Sequence, residues 1–457
     1  MGTLYRNPYQ KRHLSLGSNK SRWYGLCMIL KQTRFLGPDY SLHKKDIRIE
    51  EGTITDIEDS LHEKSGEEVI DCSAFLLYPA LADCHVHTPD TLLRGLFSDM
   101  SLHNWGNETE QGRLQTDLFE YLDNSVDTPA FETLVLYAYL QYVKSGVGFI
   151  VETGQADESS GILEACAEKI GIKALVDWYD ENPSHELTCN HIQRGTHLPE
   201  EEDLDEKGLQ EAIQRVEKTA WPLMTHCLET RFRREEVLRK FGMSTVELLE
   251  KKALLGKQTI LFHCVETTER DRAMLASSKA TIVHCPVSNL ISGARSMNLI
   301  DLLERGAHIT LGTDFLTHDI WDVMRTTYAE LKQSNKSEHF GAGHVWNMAS
   351  KAAAPIASAS GYQGTIAVGA PADMLFVENG LALSPLIETP GFSNVAYNTL
   401  IHTRPSMIKH VMLGGRWIIQ EGRCLTIDEE KLEMEYSAIL RSVFPEKLVN
   451  RPDGNSH

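Results

Sequence analysis

No two of the nine cysteines stand in a Cys-x-x-Cys pair, which argues against a ribbon-type zinc site or a thioredoxin-like redox centre. Their odd number and scatter (Cys27, Cys72, Cys84, Cys166, Cys189, Cys227, Cys264, Cys285 and Cys424) predict reduced thiols in a cytoplasmic protein. Cys227, Cys264 and Cys285 each follow a histidine with no basic cluster beside them, and read as small packing residues rather than nucleophiles. No apolar run is long enough to span a bilayer. Positive charge is scarce: 45 Lys+Arg against 64 Asp+Glu gives −19. That balance argues against a general nucleic-acid or anionic-membrane partner. The first acid is Asp39, and residues 1–22 carry Arg6, Lys11, Arg12, Lys20 and Arg22. Without an apolar h-region they read as a flexible basic extension, with organelle targeting the lesser reading.

At 457 residues, 42% hydrophobic and 24% charged, the chain is sized for one large domain plus a smaller one. Residues 23–77 alternate in short strand-like segments around Gly37-Pro38 and Glu51-Gly52. The same texture returns over 361–427, in Ala372–Val377 and in His410–Ile419 around a Gly-Gly turn. The two ends are expected to form one small β-sandwich domain. Residues 428–457 are expected to be a C-terminal helix and tail, with an amphipathic helix over about Asp428 to Val443.

The middle, 78–360, alternates strands and helices. Strands end near His87, Glu152, Asp177, Thr196, His226, His263, Cys285 and Asp314. Helix-like segments between them include Pro129–Lys144, Ser159–Lys169, Glu206–Thr219, Arg234–Lys251, Thr268–Ser278 and Met297–Glu304. Eight such pairs match an α/β fold of the (β/α)₈ TIM-barrel type. An open doubly wound sheet would carry a Gly-rich phosphate turn after its first strand. Here Cys84-His85-Val86-His87 sits there instead.

In a strand, residues i and i+2 share a face, so His85 and His87 project together, as a divalent metal requires. A lone His-x-His is a weak signal. His226, Glu229, His263 and Asp314 fall at or just past other strand ends, and a barrel gathers such ends at one mouth.

The segments Cys84–Leu96, His226-Cys-Leu-Glu-Thr230, Phe262–Val265, His284-Cys-Pro-Val-Ser-Asn-Leu290 and Leu311-Gly-Thr-Asp314 carry a resemblance, as do Gly364–Phe376 and Gly414–Arg423. They resemble the amidohydrolase superfamily, in the branch of chlorohydrolases and cytosine, guanine and adenosine-type deaminases. The resemblance covers about residues 25–430. It implies one divalent metal, zinc before iron(II), held by His85, His87, His226 and Asp314. It implies Glu229, His263 and Asp314 as the catalytic groups, with His263 touching the activated water. No bridging lysine stands near the end of strand 4, which argues against a dinuclear centre. The cation lowers a water's pKa and yields hydroxide. Asp314 takes its proton, Glu229 protonates the substrate's ring nitrogen as hydroxide adds, and a proton must then reach the departing amine.

Trp105 lies where similar deaminases close an aromatic over the ring, and Gly195-Thr-His197 resembles a stretch whose histidine touches substrate. His318, in Phe315-Leu-Thr-His318-Asp319, replaces the small residues common there. Trp105, His197 and His318 are therefore the expected substrate contacts. Glu152, Asp177 and Asp180 read as solvated loop acids. The expected activity is a metal-dependent aminohydrolase that deaminates a purine, pterin, pyrimidine or triazine and releases ammonia, acting as a homodimer or higher homo-oligomer. The alternatives are hydrolysis of another C–N or C–Cl bond on the same scaffold, and an inactive binding or scaffold relative.

Overall fold

The computed structural model describes residues 27–445 apart from 157, 179–186, 188, 316 and 334–337. The basic extension 1–22, the tail beyond 445 and Asp180 lie outside the described residues. Eight parallel strands form the barrel: β1 Leu81–Val86, β2 Val147–Glu152, β3 Lys173–Asp177, β4 Ile192–His197, β5 Leu223–Cys227, β6 Thr259–His263, β7 Thr281–His284 and β8 His308–Leu311. They neighbour one another in chain order. The ring closes where the Asp314 N–H donates to the His85 carbonyl at 2.8 Å, beside a parallel bridge from Val86 to Asp314. Gly312 lies on this seam. A Cβ there would stand 2.8 Å from His85 Cβ and 2.9 Å from Val283 Cγ1, so only glycine lets the strands approach.

Every residue of β1 to β7 is buried, as parallel strands covered on both faces must be. The helices follow their capping chemistry. Thr128 accepts from the Phe131 N–H and Pro129 opens the helix Pro129–Lys144. The single helix expected over Arg234–Lys251 is two, Arg231–Phe241 and Thr245–Lys251. Gly242, left-handed at φ 69°, ends the first, and a capping box on Ser244 starts the second. The C-terminal helix Glu429–Val443 packs on Pro129–Lys144, with Tyr137 and Tyr436 stacked at 3.8 Å and Lys144 paired to Glu429 at 2.9 Å.

Both chain ends meet in one nine-stranded sheet. Phe75–Pro79 runs antiparallel to Met374–Glu378 and joins the N-terminal strands to the C-terminal ones. Leu30, Ile47, Ile49, Leu77, Met374, Phe376 and Met412, drawn from both halves, share an apolar core distinct from the barrel's. Only Ala80 separates Phe75–Pro79 from β1, so the sheet anchors the strand that carries His85.

Candidate metal centre and catalytic cavity

The strand tips bring six polar residues to one mouth. His85 lies in β1 with His87 just beyond it, His226 in β5 with Glu229 just beyond, His263 ends β6, and Asp314 follows β8. Several of these tips are strained. φ is +70° at His263, +60° at Asp314 and +49° at Leu228, a region that costs a non-glycine residue about 1–3 kcal/mol.

His87 Nε2 lies 3.2 Å from His85 Nε2, 3.3 Å from His226 Nε2 and 3.3 Å from Asp314 Oδ1. His85 Nε2 is 3.2 Å from the same Oδ1. Four donors about 2.05 Å from a tetrahedral zinc stand about 3.3 Å apart. The spacing therefore fits a divalent cation. His263 belongs to a looser group with His85, His226 and Asp314, within 4.8 Å. Its Nε2 is 3.9 Å from Asp314 Oδ2, outside the tight set.

The far nitrogens fix the tautomers. His87 Nδ1 donates to the Gly154 carbonyl at 2.9 Å and His263 Nδ1 to Asn289 Oδ1 at 2.8 Å. His226 Nδ1 faces Glu200 Oε1 at 2.8 Å. For His87 and His263 this leaves Nε2 bare toward the mouth, the arrangement that orients imidazole ligands. His85 instead lies flat on Phe262, centroids 3.8 Å apart. Burial pushes the His226 imidazole down to about 3. Asp314 is held well below the usual carboxylate range: burial opposes this, but His85, His87 and His263 outweigh it, and Ser288 Oγ donates to its Oδ2. Glu229 Oε2 accepts from Arg233 Nη1 at 2.8 Å, while Oε1 lies 4.0 Å from His263 Nε2.

These groups face a cavity of about 240 Å³, room for one ring system. Trp105, Phe119, Phe315 and Leu102 give it an apolar wall; Glu200, Glu229, Arg233 and Gln155 give a polar one. Trp105 lines the cavity, its ring centroid 4.0 Å from that of Phe97 and 5.6 Å from that of Phe315. His197 and His318 do not line this cavity. His197 is buried behind it with Nδ1 3.0 Å from Asp177 Oδ2. His318 is buried with Nε2 2.7 Å from Asp90 Oδ1 and Nδ1 accepting from Arg94 at 2.9 Å. A buried imidazole needs such partners, which His197 Nδ1 finds in Asp177 and His318 finds in Asp90 and Arg94. Glu152 and Asp177 are likewise buried rather than solvated. Glu152 accepts from the Thr88 and Gly154 N–H groups, and burial pushes its carboxyl up to about 7. Glu200 and Arg233 escaped the sequence reading. Their only signals are a Glu-Glu-Glu run three residues after His197 and the i,i+4 spacing from Glu229.

Residues 76–418 match the amidohydrolase family. The chain belongs to that family. Among its relatives, the 5-methylthioadenosine/S-adenosylhomocysteine deaminase of Pyrococcus furiosus is 28% identical over 89% of this chain and 98% of its own length. The 5'-deoxyadenosine deaminase of Methanosarcina acetivorans is 24% identical over 84% and 90%. Two solved amidohydrolase-like folds superpose closely. The zinc-bound adenosine deaminase of Xanthomonas campestris gives a TM-score of 0.77 at 17% identity, over 91% of this chain and 98% of that one. The guanine deaminase of C. acetobutylicum gives 0.70 at 19%, over 86% and 99%.

Proposed function

We propose that this amidohydrolase is a metal-dependent aminohydrolase that deaminates an amino-substituted nitrogen heterocycle of the purine, pterin, pyrimidine or triazine type. The observation that carries this is the tight group of His85, His87, His226 and Asp314 with Glu229 and His263 facing the same cavity. The deaminase names of relatives matching nearly the whole chain support it. We assign those four residues as ligands of one divalent metal, zinc by preference. When bound, the metal lowers the pKa of a water toward neutrality.

The protein groups then divide the proton work. His263, with its Nδ1 hydrogen spent on Asn289, offers a bare Nε2 to accept a hydrogen bond from the attacking water. Asp314 takes one water proton. Glu229 delivers a proton from Oε1 to the ring nitrogen as oxygen bonds to the amino-bearing carbon. Asp314 returns its proton to the amine, the remaining hydroxyl proton passes to the Glu229 carboxylate, the C–N bond breaks and ammonia leaves. Trp105 and Phe315 stack against the ring.

Nine free thiols support a reducing, cytoplasmic location. No helix among the described residues is long and apolar enough to cross a membrane. The exposed Ile387, Phe392 and Tyr397 support a homo-oligomer. The sheet joining 23–77 to 361–427 supports one small domain beside the barrel domain at 78–360.

The test is ammonia release by the zinc-loaded protein from a panel of amino-purines, pterins, pyrimidines and triazines. Turnover of at least one is expected. Chloride from a halogenated ring, or ring opening of a cyclic amide, with no ammonia from any member would overturn the deaminase reading.

A further inference from the structure

Glu200 and Glu229 share one nitrogen. Arg233 Nη1 donates to Glu229 Oε2 at 2.8 Å and lies 2.8 Å from Glu200 Oε2. The opposite edge of the guanidinium is held by Glu202: Nη2 donates to Oε1 at 3.0 Å, and Nε is 3.0 Å from Oε2. Arg233 sits in the first turn of Arg231–Phe241, where the helix dipole disfavours a cation. The helix gains nothing from an arginine there, whereas the three carboxylates do. Nη1 and Nη2 give hydrogen bonds to Glu229 and Glu202, while Glu200 and the second oxygen of Glu202 lie within ion-pair distance of the same fork. The group is built to hold its neighbours rather than to grip a substrate.

The other oxygen of Glu200 completes the line, 2.8 Å from His226 Nδ1. Glu200 thus touches a metal-ligating imidazole at one end and the guanidinium at the other. We infer that Glu200 and Arg233 form a single positioning bridge, which turns His226 Nε2 toward the metal and at the same time fixes Glu229 for proton transfer. The part concerning Glu229 rests on the deaminase reading; the part concerning His226 stands on metal binding alone. A lysine cannot replace Arg233, because only the planar fork meets Glu229, Glu200 and Glu202 together.

The test is a double-mutant cycle over Glu200→Gln and Arg233→Met. It is read first as zinc affinity by chelator competition and then as ammonia release. Glu200→Gln weakens zinc by about 10–100-fold, the usual effect of losing a partner of a ligand. Arg233→Met, which frees Glu200 at its far end, weakens zinc by about tenfold. The double variant is within about threefold of Glu200→Gln, because the two residues act as one unit. In turnover, Arg233→Met lowers kcat about 100-fold with KM changed by less than about threefold. Arg233→Lys keeps charge and bulk, stands in if the methionine variant does not fold, and recovers less than about a tenth of the lost kcat.

Zinc losses that multiply in the double variant, or zinc binding unaffected in both Arg233 variants, overturn the bridge. So does a raised KM with kcat intact, which would make Arg233 a substrate contact. If the wild type releases no ammonia from the panel, the deaminase reading falls while the zinc cycle still decides the bridge.

Discussion

The flanking sheet and the barrel mouth both bury charge, but they balance it differently. In the sheet, Arg48 meets Glu67 at 2.7 Å and Asp56 at 3.3 Å, and Lys31 meets Asp46 at 2.7 Å. Each cation there has an acid of its own. At the mouth, Glu200, Glu229 and Asp314 line a cavity in which Arg233 is the one arginine or lysine among the described lining residues. The imidazole nitrogens of His85, His87 and His226 converge beside those acids. Buried acceptors in such excess are costly unless something compensates them. The sheet is matched for its own stability, whereas the mouth is matched to a cation and a substrate that come from outside.

The comparison breaks most sharply if the mouth works without a cation. Exhaustive chelation is expected to abolish ammonia release completely, and added zinc to restore it. Full turnover by protein shown to be metal-free would mean that the excess acceptors serve something else. The next largest effect separates the proton carrier from the ligands. Glu229→Gln is expected to bind zinc as the wild type does and to lose about 10³-fold in kcat, within the range for a general acid–base group. Near-normal kcat in that variant would remove Glu229 from the chemistry.

The legible part of the molecule is the part that strand periodicity dictates. A buried run ending in His-x-His must present both rings on one face, and parallel strands must end at one rim. The positions of His85, His87, His226, His263 and Asp314 were therefore visible before any coordinates. Ser288 and Asn289 lay inside a motif noticed for its text, but that one bonds Asp314 and the other His263 is geometry that no spacing conveys. Glu200 and Arg233 sit on a loop and in a helix's first turn, where chain direction follows no period. His197 was read as a substrate contact from its likeness to a family stretch, and His318 because it replaces the small residues common there. In the structure Asp177 and Asp90 pair with these rings away from the cavity lining. The split helix at Gly242 was hidden because apolar periodicity continues across the break.

Loop-borne walls should tune binding more than chemistry. Trp105→Ala removes the aromatic opposite Phe315 without touching the metal group. It is expected to raise KM about tenfold, in line with an aromatic contact of about 1–1.5 kcal/mol, and to change kcat by less than about threefold. A kcat collapse with KM unchanged would place Trp105 in the chemical step and erase the division between rim and strand tips.

The smallest effect lies in the sheet, and its pH dependence tests whether charge there is purely structural. The Arg48 guanidinium holds the Glu67 carboxyl down to about 2 from 4.5, helped by the Lys64 N–H. The folded value lies below the unfolded one, so the unfolded chain binds the extra proton. The pair therefore stabilises fully above pH 4.5, and its contribution fades as pH falls toward 2. Glu67→Gln is expected to cost about 1 kcal/mol at pH 6. The gap to the wild type should shrink steadily below pH 4.5, as followed by denaturant unfolding. Zinc content and kcat should stay unchanged, because Glu67 belongs to the balanced region. A gap constant from pH 6 to pH 3 would mean that the side chain contributes shape and neutral hydrogen bonding rather than charge. A loss of kcat would mean that the sheet sets the position of β1, and with it His85, more tightly than a support needs to.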